Sequence, residues 1–451
     1  MLESCILGLG GFLTFSFLRY YRFVFYDLAR QSVGLLDIII RDESEDQKLP
    51  RIELGTKNLI ITLLKSLVLL SISSGVLILW SLVLRDLFKV EELGSIYGIV
   101  GFSIGATVPF LIPIHSNSSY NEISKLFHRL VLDHPSLGLK LLKREIKKQS
   151  VQLKNKDKFL VVSGLARSGT TSLMNAIFES GSFASLSYSN MPFLLSPRSW
   201  KKLYRPGTEN SAERSHKDGI LINLESNEAL EEYFFKAITS DSFIEKKTLN
   251  EHSISKKDYN LYLNYQKLIF NKSNKFYLSK NNNMLLRYRS IRKFNEDFIF
   301  IVLFRDPLSH AASLLRMHKK FSNQQAIDPF VLEYMNWLGH HEFGENIKPF
   351  NFGQNIPDGD KESLDFWLKS WINYYSYASN ITDKNMYYIC YETYCMNPNM
   401  ILDKVLVKFQ SARKKNYQSY EKNSDLNGRK SAELLDKANS IYSKLKNRQF
   451  Q

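Results

Sequence analysis

Cysteine is scarce in this chain, with only Cys5, Cys390 and Cys395 among its 451 residues. Three cysteines do not make the disulfide framework of a small secreted domain, so they favour a reducing compartment. Acidic residues are also outnumbered, 45 against 60 lysines and arginines, which gives a formal net charge of +15. This excess favours anionic partners such as phosphorylated cofactors, acidic lipid headgroups or nucleic acid, although a general contribution to solubility is an equal alternative.

The apolar run at the start of the chain lacks the features of a signal peptide. Cys5 to Leu18 is interrupted by glycines, and it has neither a basic start nor a convincing small-residue cleavage site. Its length predicts a segment that lies on or re-enters a membrane surface rather than a full span. Phe23 to Ile40 then has the pattern of an amphipathic helix, and Arg41 to Lys48 predicts a solvated turn.

Two long apolar runs follow. Leu59 to Leu84 has Lys65 as its only charge, and Ile96 to Ile114 has none. Consecutive runs of this length predict a transmembrane hairpin at 58–116 after a membrane-associated segment, 1–57; two buried helices of a soluble domain are the alternative. Basic residues cluster on the outer flanks of the pair, which places both ends in the cytoplasm by the positive-inside rule: Arg51, Lys57, Lys125, Arg129, Lys140, Lys143, Arg144, Lys147 and Lys148.

The rest of the chain predicts a juxtamembrane amphipathic helix at 117–150 and an α/β domain at 151–451. Strands separated by helices indicate a mainly parallel sheet covered by helices on both faces. Strands are predicted at Lys275 to Lys280 and Met386 to Glu392, and a helix within Glu225 to Ala237. The arginines of the basic helix LLRYRSIRKF (285–294) are most simply a solvated face.

The most informative stretch is KFLVVSGLARSGTTSL (158–173), where Gly164 and Gly169 bracket a tight loop after a buried strand. Three hydroxyl residues can cap the helix that follows: Thr170, Thr171 and Ser172. Strand, glycine loop and helix N-terminus together make an anion cradle. A Walker loop would have Lys at position 170, whereas here the cation is Arg167, inside the loop. An incidental strand–turn–helix is the alternative.

A second motif lies in FIFIVLFRDPLSHAASLL (298–315). A strand from Phe298 to Phe304 ends at Arg305, and Pro307 suits the first turn of a helix. Ser313 follows Arg305 by eight positions, on the first turns of that helix.

Both motifs, in this order, resemble those of the sulfotransferase superfamily, and the chain is similar to its bacterial, membrane-anchored members over roughly Lys158 to Asn397. The resemblance implies a P-loop-like fold, 3′-phosphoadenylyl sulfate (PAPS) as the donor and no metal. It also implies that Arg305 and Ser313 bind the 3′-phosphate. The 5′-phosphosulfate would be held by the loop and helix start: Gly164, Arg167, Ser168, Gly169, Thr170, Thr171 and Ser172.

The chain departs from the family at the catalytic base. It lacks the Lys-Thr-His context of cytosolic members, and it has SLSYS (185–189) where tyrosylprotein-type members have a Glu. Five titratable residues between the motifs are candidates for the base: His216, Asp218, Glu228, Glu231 and Glu232. For each of them, a solvated residue without a catalytic role is the more common case. We favour His216 for its ordinary pKa and Glu228 for its place at the start of a helix. Lys280 is either a second cation at the leaving group, beside Arg167, or a surface residue.

The sequence therefore predicts a membrane-anchored sulfotransferase that acts on a hydroxyl of a glycan, glycolipid or lipid at the cytoplasmic face, without a nucleic-acid partner. A membrane-anchored P-loop kinase or NTPase is the first alternative, and it would depend on magnesium. A non-catalytic nucleotide-binding scaffold is the second.

Overall fold

The computed structural model describes residues 2–41, 43–88, 95–112, 122–148, 158–203, 212–213, 221–222, 229–270, 275–353, 356–420 and 431–450. The chain divides into two compact units, Met1–Leu137 and Gly138–Gln451. Both predicted donor-binding motifs belong to the second unit.

The first unit is helical. Its helices are α1 (Leu2–Tyr20), α2 (Arg22–Ile40), α3 (Glu45–Phe88), α4 (Ile96–Leu111) and α5 (Glu122–Leu132), and α6 (Pro135–Lys147) begins within it. The helix predicted at Phe23 to Ile40 is present as α2. The predicted turn is shorter than expected because α3 already begins at Glu45, where Glu45 and Asp46 stabilise the positive end of the helix dipole.

α3 is the longest helix, with 44 residues and a length of about 66 Å. Within the described part of the chain, its stretch Glu45–Val83 is the one helix long and apolar enough to cross a membrane. Ser4–Tyr20 and Ile96–Leu111 are shorter apolar helices. The single helix predicted at 117–150 is interrupted between α5 and α6, because Pro135 can begin a helix but cannot continue one.

The second unit contains a five-stranded parallel sheet in the order β2–β6–β1–β7–β9. Its strands are β1 (Leu160–Ser163), β2 (Phe183–Ala184), β6 (Phe276–Lys280), β7 (Ile299–Phe304) and β9 (Met386–Cys390). Two short pairs lie outside it: β3 (Ala212–Glu213) with β4 (Leu221–Ile222), and β5 (Leu249–Asn250) with β8 (Phe350–Asn351). β1 is central, since Leu160 pairs with Leu278 of β6 and with Ile299 of β7.

Helices surround the sheet: α7 (Thr170–Phe178), α8 (Pro197–Leu203), α9 (Glu232–Thr239), α10 (Lys256–Phe270), α11 (Tyr288–Phe294), α12 (Pro307–Ile327), α13 (Pro329–Trp337), α14 (Leu364–Ser379), α15 (Tyr391–Met396), α16 (Pro398–Val407) and α17 (Ala432–Asn447). Two 3₁₀ helices span Tyr188–Asn190 and Asn282–Arg287. The strand predicted to reach Glu392 ends at Cys390, because α15 begins at Tyr391.

Both faces of the sheet are covered, as the sequence predicts. Leu160 and Val162 pack in one cluster with Leu173 of α7 and Leu402 of α16. On the other face, the ring of Phe159 stacks on that of Phe298 and meets Tyr262 of α10 edge-on. Burial on both sides explains why the strands are unbroken apolar runs rather than alternating ones. The parallel arrangement brings the carboxyl ends of β6, β1, β7 and β9 to the same edge.

Candidate active site

The loop after β1 closes tightly because of its two glycines, which have φ angles of +147° (Gly164) and +98° (Gly169). A Cβ on Gly164 would lie 2.6 Å from the carbonyl oxygen of Leu303, and one on Gly169 would lie 2.4 Å from the ring of Tyr391. Both positions therefore require glycine. Arg167 has a φ of +72°, a left-handed conformation that costs an L-residue roughly 1–2 kcal/mol and is concentrated at functional sites.

α7 begins at Thr170 with Gly169 as its N-cap residue. The predicted capping hydroxyls therefore lie in the first turn rather than before it. The first N–H groups of a helix have no acceptor within the helix, and the helix dipole adds positive potential there. Lys280, at the end of β6, donates from Nζ to Oγ1 of Thr171 at 2.9 Å. Lys280 is buried at the loop and is not a surface residue.

The second motif meets the first. Asp306 caps α12 by accepting a hydrogen bond from the backbone N–H of Ser309 at 2.8 Å, and Pro307 is the first helical residue, as predicted. Ser313 is buried on α12, and Nε of Arg167 donates to its Oγ at 3.4 Å. The structure thus brings Arg167, Lys280 and Ser313 to one edge of the sheet.

Arg305 is held beside this cluster by residues of α14 and α15. Its guanidinium lies 5.0 Å from the ring centroid of Tyr391, the ring that also contacts Gly169. Nε1 of Trp371 donates to the Arg305 carbonyl at 3.2 Å, and the Asp306 N–H donates to Oε1 of Glu392 at 3.0 Å. Arg305 itself is only 4% exposed.

Two buried tyrosines of α14 tie the strand ends together. Tyr375 accepts from the N–H of Leu165 at 3.3 Å and donates to the carbonyl of Leu303 at 2.7 Å. The Tyr374 hydroxyl lies 3.2 Å from Oγ of Ser163. Burial raises the pKa of both tyrosines above its ordinary value, so both hydroxyls keep their protons.

His310 supports the loop from α12. The residue is fully buried, and its Nε2–H donates to the carbonyl of Ala166 at 2.7 Å. Burial lowers the pKa of His310 to about 3, and the nearby cations of Arg305 and Arg167 act in the same direction. The imidazole is therefore neutral at physiological pH, and the tautomer is set by the carbonyl, which can only accept.

A buried polar network follows β6 and includes two of the predicted base candidates. Glu231 accepts hydrogen bonds from Tyr262, from Tyr277 at 2.8 Å and from Asn281 at 3.1 Å. Burial raises the pKa of Glu231 above its ordinary value, and these three hydrogen bonds partly offset the effect. Glu232 forms two hydrogen bonds of 2.6 Å with Arg287 and is thereby neutralised.

The expectation that the arginines of 285–294 form a solvated face is wrong for Arg287 and for Arg292, whose side chain is 14% exposed and pairs with Asp383 at 2.7 Å. The Arg287 side chain is 0% exposed, pairs with Glu232 and lies 4.3 Å from the ring centroid of Phe235. Arg289, two residues later, does have an exposed side chain.

The remaining base candidates, His216, Asp218 and Glu228, lie outside the described residues. Sequence reasoning did not find His310, Tyr374, Tyr375 or Glu392. Tyrosine is common in this chain, with 24 examples, so two more on a helix carried no signal.

No protein-family model and no curated protein matches the sequence. The structure is similar to three solved sulfotransferases. For one from Mycobacterium avium, the TM-score is 0.37 at 14% identity over 70% of this chain and 77% of the other. For one from Mycobacterium tuberculosis, it is 0.38 at 11% identity over 81% and 95%.

The third is the sulfotransferase domain of the curacin biosynthetic pathway, with a TM-score of 0.32 at 14% identity over 65% of this chain and 99% of that domain. All three are sulfotransferases, the superfamily that the two motifs resemble.

Proposed function

We propose that this protein transfers a sulfuryl group from PAPS to a hydroxyl of a glycan, glycolipid or lipid. The observation that carries this proposal is the 3.4 Å approach of Arg167 to Ser313. It joins the glycine loop to the helix that follows Arg305, so one ligand with phosphate groups at both ends of a nucleoside can contact both motifs.

The side chains and backbone at this edge fit such a donor. The glycine loop and the start of α7 would hold the 5′-phosphosulfate, because both offer N–H groups and positive potential. Arg305 and Ser313 would hold the 3′-phosphate, for which a guanidinium provides charge-assisted hydrogen bonds. The cations found here, Arg167, Lys280 and Arg305, balance the negative charge of the donor.

Arg167 and Lys280 also have a role in the chemistry we propose. When the S–O bond of the donor breaks, negative charge develops on the oxygen that leaves. Cations already held in place stabilise that charge without reorganisation. Lys280 is oriented by Thr171 and Arg167 by Ser313, so both are positioned in advance. Fixing donor and acceptor in line supplies much of the remaining acceleration.

The acceptor hydroxyl must lose its proton, and His216 and Glu228 remain the proposed bases. Glu232 is unsuited to this role because Arg287 occupies both of its oxygens.

A P-loop kinase is less consistent with the site. The strand β7 does end near an aspartate, but Asp306 uses its side chain to cap α12. A metal-binding aspartate of a kinase or NTPase must instead direct its oxygens to magnesium. Position 170 is also Thr where a Walker loop has Lys.

The membrane assignment belongs to the same proposal. The apolar part of α3 and α4 would cross the bilayer as a hairpin, and the basic flanks would keep the catalytic unit on the cytoplasmic face. An enzyme held there meets acceptors that are themselves at the membrane, which is why we favour a glycolipid, a polysaccharide precursor or a lipid headgroup.

The test is to offer PAPS with a radiolabelled sulfuryl group to membranes from cells with and without the protein, in the presence of EDTA. We expect label in a lipid or glycan fraction only when the protein is present. Label that is transferred from ATP with a radiolabelled γ-phosphoryl group and added magnesium, with none transferred from PAPS, would favour the kinase class instead. Nucleotide binding without any transfer of label would indicate the non-catalytic scaffold.

A further inference from the structure

The first apolar helix packs directly on α4 through glycine. A Cβ on Gly101 would lie 2.2 Å from the carbonyl oxygen of Ser4, and one on Gly105 would lie 1.8 Å from that of Gly8. Gly101 and Gly105 are four positions apart and so lie on one face of α4. Contact of backbone with backbone through small residues four apart is typical of helix pairs in membranes.

α1 and α4 run in the same direction. Ser4 lies against Gly101, Phe15 packs edge-on against Phe110, and the Arg19 side chain donates to the carbonyl of Ile112. The contacts therefore advance together along both helices, from the first turns to the last. α1 accompanies α4 over its whole length.

α1 also contacts α3, near the C-terminal end of that long helix. Nε1 of Trp80 donates to the carbonyl of Ile6 at 3.0 Å, and a Cβ on Gly10 would lie 3.3 Å from a methyl of Leu77. From Ile6 to Gly10, the chain of α1 runs forward while its partner on α3 changes from Trp80 back to Leu77. These two helices are therefore antiparallel. The start of α1 is thus level with the end of the apolar part of α3.

α4 buries small side chains and exposes large ones. The buried residues of α4 are Gly98, Gly101, Gly105 and Pro109. Its large apolar residues point outward, with Ile104 60% and Phe110 62% exposed. A soluble core shows the reverse arrangement, because burial of large apolar side chains is what stabilises it. Acyl chains are the surroundings that suit this outer surface.

The length and composition of α1 suit the same surroundings. Its 19 residues span about 28 Å, close to the roughly 30 Å of a bilayer core. Ser4 to Leu18 contains no charged residue, and Arg19, Tyr20 and Tyr21 follow at one end. Arginine and tyrosine are common where a helix leaves the hydrocarbon.

From these contacts we infer that α1 is a third membrane span and neither lies on the surface nor re-enters it. The inference rests on the proposed hairpin of α3 and α4. α1 is parallel to α4. The first residues of α1 therefore lie on the face of the membrane opposite to the one at which α4 ends.

The test uses the full chain with one epitope tag before Met1 and a different tag after Gln451. Spheroplasts are treated with protease from outside, with and without detergent. We expect the first tag to be digested without detergent and the second only with it. Digestion of the first tag alone confirms the third span. Protection of both tags contradicts it, and digestion of the second tag alone also contradicts it, because α3 would then cross without α1 and α4.

A separate measurement tests the proposed hairpin of α3 and α4. If an alkaline carbonate wash releases the protein from the membrane, the proposed membrane anchor is wrong, whatever the tags show.

Gly105→Leu should increase the fraction of chains whose tags are equally accessible, since it separates α1 from α4. Gly75→Leu in α3 is the matched control, because a Cβ on Gly75 meets nothing within 4 Å. An equal effect of the two substitutions would contradict the assigned packing.

Discussion

Arg167 donates from Nε to Oγ of Ser313 at 3.4 Å, although the two residues are 146 positions apart in the chain. The contact connects the loop after β1 with α12. Each residue comes from one of the two motifs that the sequence singles out. Substitutions in either motif should therefore change the binding or turnover of the same donor.

Arg167 should act mainly in the transition state. We expect Arg167→Lys to lower kcat by roughly ten- to a hundred-fold, because Lys offers one point of charge where Arg offers a planar fork. Arg167→Ala should lower kcat further. Steady-state kinetics at saturating donor measure this directly. If Arg167→Ala raises only KM and leaves kcat unchanged, Arg167 has no part in the chemistry.

Arg287 should be essential for stability although its neighbour Arg289 is not. Removing one partner of a buried ion pair costs about 3–5 kcal/mol, so Arg287→Ala should lower the free energy of unfolding by that amount. Arg289→Ala is the control, since that side chain is 69% exposed and should change stability by less than about 0.5 kcal/mol. Urea denaturation in detergent measures both. Equal effects would show that the Arg287–Glu232 pair is not important for stability.

Tyr375 should stabilise the loop through its hydroxyl. Tyr375→Phe leaves the Leu165 N–H and the Leu303 carbonyl without this partner, which should cost about 1–3 kcal/mol. We also expect weaker donor binding, because the loop begins at these residues. Tyr387→Phe on β9, where the ring is only partly buried, is the control. If Tyr375→Phe leaves both the free energy of unfolding and the donor affinity unchanged, the Tyr375 hydroxyl does not stabilise the loop.

His310 should make stability depend on pH. Its pKa is about 3 in the folded protein, because it is buried, and about 6.5 when unfolded. The unfolded state therefore binds more protons at acid pH, so this contribution is complete above pH 6.5 and is lost as the pH falls towards 3.

His310→Gln and His310→Asn should both make the fall in melting temperature between pH 6.5 and pH 4 less steep. Only the longer Gln can place an amide N–H near the carbonyl of Ala166, so only Gln should keep wild-type donor affinity. A wild-type pH slope in both variants would exclude His310 as the titrating group.

The parts of the fold that were predictable are those encoded over short distances in the chain. The strand before Gly164 and the strand before Arg305 were clear because continuous apolar runs end at glycine or at a charged turn. Pro307 identified the start of α12 in the same way. A parallel sheet follows from such strands alternating with helices.

The parts that were not predictable depend on partners far away in the chain. Arg287 was expected in solvent because its partner Glu232 is 55 positions away and nothing local indicates the pair. Tyr375 reaches two strand ends that lie 210 and 72 positions away. The length of α1 alone predicts a segment at the membrane surface, whereas its glycine contacts with α4 are visible only in three dimensions.

We propose that the two motifs form one site for a nucleotide with phosphates on both its 3′ and 5′ positions. Calorimetric titration of the full chain with 3′,5′-bisphosphoadenosine and with AMP tests this most directly. We expect the bisphosphate to bind more tightly by about 2–4 kcal/mol, and Arg305→Ala to abolish the difference. Arg316→Ala, an exposed arginine on the same helix as Ser313, should preserve it. Equal affinity of the wild-type protein for the two nucleotides would contradict the account.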